Sequence, residues 1–397
     1  MPEPLRVLVG ALGPGVLPTA RVEPPGAPAA GTVLLDLGPD HPSRAGLLEL
    51  RLWVAEGVIV EADVVVGALH RGAEKLFEVR DYRQILMLAD RHDWQAPFAG
   101  ELGIALATEQ VLGLEVPSRA VWLRTLLAEH TRVASHLGFL GYLLRRLDRS
   151  GSTTYRERLR EQLKAISGNR VHPMLTVVGG LAADASTAWL DAEVHLLTEI
   201  ADAAESWRAA LRSHPFADRL AGLTPLSSEV IHAYGVTGPA ARASGLRLDL
   251  RRQDPYLAYA ELGRQLSAAV AGPTSASPAA GDALARFGVL LQELTTSAAL
   301  VVACADRLRS LPGPVAVDLP KVVKLPEGEV AVVTEAPLGW GGCWLVSRGE
   351  KTPWRLKLRT PSFNHISSLP AVLPGCSVAD LEPALASIGY VVGDVDK

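Results

Sequence analysis

The sequence is poor in the residues that build metal centres. It has three cysteines, Cys304, Cys343 and Cys376, spread widely along 397 residues, and no C-x-x-C pair. That excludes a zinc ribbon or a ferredoxin-type cluster held by this chain alone. Sparse, unpaired cysteines fit a reducing compartment. Long apolar runs are missing too. The strongest, 298–305, stops at Asp306-Arg307, far short of the ~20 residues that span a bilayer, so work at a membrane would be peripheral or held by partners. There is no excess of charge of one sign: the formal net charge is −4, which excludes a general nucleic-acid binder.

What is present is a large apolar fraction, 48%, beside 21% charged residues. That balance excludes disorder and allows a sizeable core in one elongated domain or two. The first 31 residues read as a flexible lead-in rich in Ala, Gly and Pro, because Gly10, Gly13, Pro14 and Gly15 break the only candidate leader run. Leu48, Leu50, Leu52 and Val54 alternate with Glu49, Arg51 and Trp53, and a second Val-rich run follows Glu56-Gly57, which predicts a β-hairpin with one buried face. Helical patterning then dominates, over 95–112, 117–147, 155–166, 185–211 and 282–308. Residues 237–256 read as a loop rich in Gly and Arg, and 272–281 as another. Strands return at 329–334, 343–347 and 354–359, followed by a loop over 361–370 and a last helix over 378–388. The fold class is α+β: a helical bundle with small sheets near both ends. The domain reading is a lead-in (1–31) and one domain (32–397), made of a hairpin region (32–66), a helical body (67–311) and a C-terminal α+β section (312–397).

The chemistry-bearing residues concentrate in 67–94, where His70, Arg71, Glu74, Lys75, Arg80, Asp81, Arg91, His92 and Asp93 interrupt an apolar chain. That pattern predicts a polar site inside a protein body. His41 lies upstream in His41-Pro42-Ser43-Arg44-Ala45-Gly46; taken alone, it serves equally as a turn cap. His172, in Asn169-Arg170-Val171-His172-Pro173, reads locally as a loop histidine. Glu129, Arg132 and His136 lie on one predicted helix. His130 and His136 stand about 240° apart around it, a poor metal spacing, so this group reads as a buried structural network.

In order and spacing these motifs resemble the large peripheral-arm subunit, the 49-kDa type, of respiratory complex I, a family related to the large subunit of [NiFe] hydrogenases. The resemblance runs from about Val33 to the C-terminus and is carried also by Val333-Thr334-Glu335-Ala336-Pro337, Pro361-Ser362-Phe363 and Gly393-Asp394-Val395-Asp396-Lys397. It implies a hydrogenase-like fold without the metal site, since the four thiolates of that chemistry are missing. It implies a subunit of a proton-translocating NADH:quinone oxidoreductase, peripheral on the cytoplasmic side of the cell membrane. The chain would bind no cofactor alone. It would form the wall between a quinone and an Fe–S cluster held by a small partner subunit, with NAD used elsewhere in the complex and membrane subunits beside it.

The same resemblance distributes roles. Arg91 and His172 are expected next to the partner's cluster. His41, His92 and Asp93 are expected at the catalytic pocket, and Ala45 and Trp94 in its quinone-facing wall. Two departures stand out: the family's second histidine is Ala45 and its tyrosine is Trp94, so two quinone hydrogen-bond donors are replaced. His92 is the nearby group able to supply a proton near neutral pH. The alternative is a degenerate paralogue that keeps only the fold and the partner surfaces.

Overall fold

The computed structural model describes residues 4–10, 32–35, 37, 41–44, 47–268 and 281–397. The loop at 272–280 and Ala45 lie outside the described residues. The N-terminal sheet contains β1 (Leu5–Val9), β2 (Thr32–Leu35), β3 (Leu48–Ala55) and β4 (Val58–Val65), in the order β2-β1-β3-β4. The predicted hairpin is β3–β4, paired antiparallel through Ala55 and Val58. Its two turn residues, Glu56 and Gly57, both have positive φ, 51° and 79°, the conformation of a type I′ turn whose twist matches the strands it joins. Leu48, Leu50 and Leu52 face the core, as their alternation requires. One expectation fails here. Residues 5–9, assigned to a flexible lead-in, form β1, which pairs parallel with β2 and antiparallel with β3. Gly10 ends the apolar run, but five residues suffice for a strand.

The body is a bundle of α1 (Pro97–Leu112), α2 (Ser118–Arg146), α3 (Ser152–Ser167), α4 (Thr187–Ser213) and α5 (Ala283–Ser310). α2 is buried along nearly its whole length and packs against α3 and α5, while α4 packs on α3 and α5. α5 is long and apolar enough to cross a membrane, yet most of that stretch is buried inside the protein. Its composition is therefore that of a core helix. The C-terminal section begins with an antiparallel sheet of β5 (Gly328–Ala336), β6 (Gly339–Ser347) and β7 (Arg355–Arg359). Residues 361–370, read as a loop, contain helix α6 (Pro361–Ser367) and run into a one-turn helix at Leu369–Val372. Pro361 at the first helical position starts a helix, since its missing N–H is not needed there. Residues 237–256, also read as a loop, contain short helices Gly238–Ala243 and Leu250–Gln253. The final predicted helix is α7 (Leu381–Ile388), preceded by a tight turn at Val378–Asp380.

The bundle is pinned by buried charges. Glu129 of α2 accepts hydrogen bonds from Arg132 (3.2 Å), Arg251 (3.2 Å), the Tyr259 hydroxyl (2.6 Å) and Ser297 of α5 (2.6 Å). Burial opposes its charge, but Arg132 and Arg251 hold its carboxyl below the usual range. Arg251 also pairs with Asp249 at 2.8 Å, and Arg242 bridges Glu293 and Glu335 at 2.6 Å each. His136 bonds to Glu293 at 2.8 Å rather than to its helix neighbour Arg132. Removing one member strands the rest. Arg251→Met should therefore destabilise the protein by roughly 3–5 kcal/mol, whereas Arg309→Met at the exposed pair with Asp191 should cost no more than ~1 kcal/mol. Chemical denaturation of the two variants checks this; equal losses would mean that the buried network is not the pin.

Candidate functional site

Residues 67–94 wrap the end of the bundle as two short helices, Ala73–Glu78 and Leu86–Ala89, joined by turns. Their exit turn, 90–94, leads into α1. Gly100 of α1 makes this possible, because a Cβ there would collide with the Ala89 carbonyl. Asp93 closes the turn: its Oδ1 accepts the amides of Gln95 (3.0 Å) and Ala96 (3.1 Å). The C-terminal tail holds the other end. Asp396 accepts the amides of Gly67 (2.7 Å) and Leu69 (2.8 Å).

Arg91 and His172 are brought together by Asp90. Arg91 Nε donates to Asp90 Oδ1 at 2.7 Å, and His172 Nδ1 lies 3.1 Å from the Asp90 carbonyl and 3.5 Å from its Oδ2. Asp90 is fully buried, while the Arg91 side chain is 44% exposed, so the pair is anchored inside and presents positive charge outward. Arg91 also reaches the Met174 sulfur at 3.7 Å. Met174 has φ 46°, a left-handed backbone that is uncommon for such a side chain. The segment beyond it is held by Glu101 of α1, whose Oε2 accepts the amides of Leu175 (3.1 Å) and Thr176 (2.8 Å). Burial pushes the Glu101 carboxyl up to about 7, with nearby Asp90 adding to the effect and the Thr176 contact opposing it. No sequence signal marked Glu101, which reads as one polar residue on an Ala/Leu-rich helix.

His92 and Asp93 join a residue that sequence order hides. His92 Nδ1 donates to Asp394 Oδ1 at 2.9 Å, and Asp394 Oδ2 accepts the Ser362 amide at 3.2 Å. Burial alone would raise Asp394, but the His92 contact and the Ser362 contacts hold it below the ordinary carboxylate range. Asp93 goes the other way: burial and the Asp394 charge push it up to about 7. The three residues line a cavity of about 40 Å³ with Gly100, Gly103, Gly341, Gly342, Cys343 and Arg359, among others. Trp94 lines a different cavity of about 30 Å³, with His130, Thr131 and Arg160 among its walls, and the two cavities have no lining residue in common. The indole also presses on Gly393, where no Cβ would fit.

His41 sits elsewhere, edge-on to Phe139 of α2 at 5.6 Å and 6.3 Å from Tyr390. Its Nδ1 accepts from the Ser43 hydroxyl (2.8 Å) and amide (3.2 Å), and burial pushes its pKa down to about 3. Among the described residues no group of three or more His, Cys, Asp or Glu side chains is arranged to hold a metal ion.

These buried groups set a pH dependence of stability. Glu101 is raised above its unfolded value of 4.5, so its contribution is present below pH 4.5 and is lost as pH rises through about 7. Glu101→Gln keeps an acceptor for both amides and removes the ionisation. Relative to this variant, the natural protein should lose roughly 3 kcal/mol between pH 4.5 and 7. His41 acts in the opposite sense: its contribution, present above the unfolded value of 6.5, is lost as pH falls towards about 3. Denaturation curves at pH 5 and pH 8 for both proteins test this; parallel pH profiles would show that Glu101 titrates normally.

A profile of the family described as "Respiratory-chain NADH dehydrogenase, 49 Kd subunit" matches residues 152–324 and 318–397. A D-type NADH-quinone oxidoreductase subunit of Streptomyces coelicolor is 48% identical over 380 residues, covering 94% of this chain and 97% of the relative. The corresponding subunit of Carboxydothermus hydrogenoformans is 35% identical over 371 residues, 92% of this chain and 98% of that one. Among solved structures, a chain of the membrane-bound sulfane sulfur reductase, an archaeal respiratory membrane complex, superposes with a TM-score of 0.79 at 31% identity, covering 88% of this chain and 94% of that one. With residues 41–44, 91–94 and 393–397 now placed in one fold, the chain belongs to the family of the 49-kDa subunit of respiratory NADH:quinone oxidoreductase.

Proposed function

We propose that this chain is the peripheral-arm wall across which electrons pass from a partner's terminal Fe–S cluster to a quinone, on the cytoplasmic side of the membrane. Family membership gives the multisubunit setting. The observation that carries the finer reading is the Arg91–Asp90–His172 unit, buried at its base and cationic at its tip. A cation and ring N–H groups facing a neighbour's cluster stabilise the cluster's reduced, more negative state without ligating it. The cluster-bearing small subunit is the partner that this face fits. The cavities beside His92 and Trp94, at about 40 and 30 Å³, are too small for a quinone ring, so in this reading the quinone pocket is completed by neighbouring subunits. NAD is used elsewhere in the complex.

Quinone reduction takes two electrons and two protons. In this reading Trp94 and Ala45 form the wall where the family places a tyrosine and a histidine. Indole N–H can donate a hydrogen bond but stays protonated. Asp93 fixes the 90–94 turn, and His41, held neutral, braces the opposite loop against α2. A second reading, a paralogue that keeps the scaffold but has lost quinone chemistry, is favoured by Trp94. The archaeal complex, named for sulfane sulfur reduction, shares the fold, so the acceptor is not set by architecture alone.

Two experiments separate these readings. A unit charge about 10 Å from a cluster at an effective dielectric of ~20 contributes about 1.7 kcal/mol, or roughly 70 mV for one electron. In the assembled complex Arg91→Met should lower the cluster midpoint by up to that amount, and His172→Met should perturb its electron paramagnetic resonance signal. Unchanged potentials and spectra in both variants would remove the cluster from this face. For the quinone, the natural complex should show weak reductase activity. Ala45→His with Trp94→Tyr should raise it by about 10²–10³. No gain in an assembled double variant favours the scaffold-only reading.

A further inference from the structure

The His92–Asp394–Asp93 cluster is built in a way that wall-forming does not require. His92 is 8% exposed, and its Nδ1 is committed to Asp394. That bond fixes the neutral tautomer with hydrogen on Nδ1 and leaves the Nε2 lone pair free. Nε2 is buried with no protein partner and lies beside Gly100, at the wall of the 40 Å³ cavity. A volume of that size accommodates water. Ala96, Ala99, Gly100, Gly103, Gly341 and Gly342 give the lining much of its apolar, small-residue character. Besides the cluster the polar lining residues are Arg359, Thr334, Thr360 and Cys343. Burial lowers Arg359 while Asp394 raises it, and burial pushes the Cys343 thiol up to about 12, which keeps it protonated. Behind Asp394, His365 bonds to two backbone carbonyls (2.9 and 3.2 Å), and Lys397 stacks on Phe363 at 4.9 Å.

We propose that His92 is a proton-loading site, with Asp394 as its counter-charge, Asp93 as a second carboxyl beside it, and water in the adjoining cavity as its proton source. Loading transfers a proton from hydronium in the cavity to Nε2. An N–H bond forms, an O–H bond breaks, and neutral water remains; no oxidant or reductant is involved. The imidazolium is then paired with Asp394 at 2.9 Å, so the loaded site has gained a proton without leaving an isolated buried charge. Release is the same step reversed. Asp93 contributes through geometry as well as charge: two backbone amides fix its Oδ1, leaving the other oxygen free to carry hydrogen. The role as a proton store for reduction chemistry rests on the electron-transfer reading above, but loading itself does not.

The test is proton uptake by the purified, assembled complex without turnover, followed by infrared difference spectra between pH 5.5 and 8 in H2O and D2O. The natural complex should show imidazole-to-imidazolium bands and take up about one proton per chain more than His92→Asn. Asparagine keeps an N–H at the Nδ1 position for Asp394 but cannot load. Asp394→Asn removes the counter-charge and should weaken the imidazolium bands relative to the natural complex. Loss of assembly in one variant leaves the other as the test, with Asp93→Asn as a third. Identical titrations in the natural complex and in every variant that assembles would overturn the proposal. Because no electron acceptor is used, a complex that loads protons but reduces no quinone would contradict the quinone reading and leave this site standing.

Discussion

The arrangement at 67–94 depends on the last five residues of the chain. Gly393 to Asp396 are buried, and their two carboxylates are the tie points. Asp396 accepts the amides that open the segment, Asp394 holds the histidine near its end, and Gly393 makes room for Trp94. Each tie joins residues about 300 positions apart in sequence, so the loop takes its shape only when the C-terminal section has docked. The entropy lost in closing such a loop grows slowly with its length. Satisfying otherwise stranded buried amides and carboxylates is what makes the docking stable.

A second constraint sits within the bundle. An α+β body of this size could be held by apolar packing alone, and most of it is. Yet α2 carries Glu129, Arg132 and His136 into the interior, where they meet Arg251, Arg242, Glu293 and Glu335 from three other segments. Buried ion pairs are weak sources of net stability but strict about geometry, since any misplacement leaves an uncompensated charge. The network thus sets how 237–256 and β5 sit against α2 and α5. β5 and β6 in turn form one side of the His92 cavity. The network thus positions the β5–β6 wall of the cavity, while the 67–94 segment is held by the C-terminal ties.

This division explains what the sequence disclosed. Long helices and the β3–β4 hairpin carry periodic signals that survive in any context, and they were legible. So was the Glu129–Arg132 pair, because helical spacing places the two side chains together. β1 was not: five residues ending in glycine, beside a Gly- and Pro-rich stretch, look like a lead-in until a partner strand is known. α6 was masked by Pro and Ser residues that read as a loop yet also start helices. At the site, the motif 91–94 was visible as a cluster of charge, but Glu101 and Asp394 were not assigned to it. Glu101 lies on a helix patterned for burial, and Asp394 is distant in sequence. Both act through burial and through groups that only folding brings near.

The 90–94 turn also separates two chemistries that sequence places side by side. His92 and Trp94 are two residues apart, but they line cavities with no common wall. Asp93 between them spends one oxygen on the start of α1, which fixes the turn and directs its neighbours apart. A substitution at Trp94 changes the face proposed for quinone and reaches the His92–Asp394 pair only through the packing of the indole on Gly393. A substitution at His92 removes the side-chain partner of Asp394 Oδ1 and leaves the Asp93 bonds to the start of α1 in place. Loss of a titratable group at one position is therefore not compensated by the other through direct contact. Any coupling between them passes through the backbone that both share, including the Trp94–Gly393 contact beside Asp394, or through water linking the two spaces. The rigidity that Asp93, Asp394 and Asp396 give to the turn makes the first route a matter of position and leaves proton movement to the second.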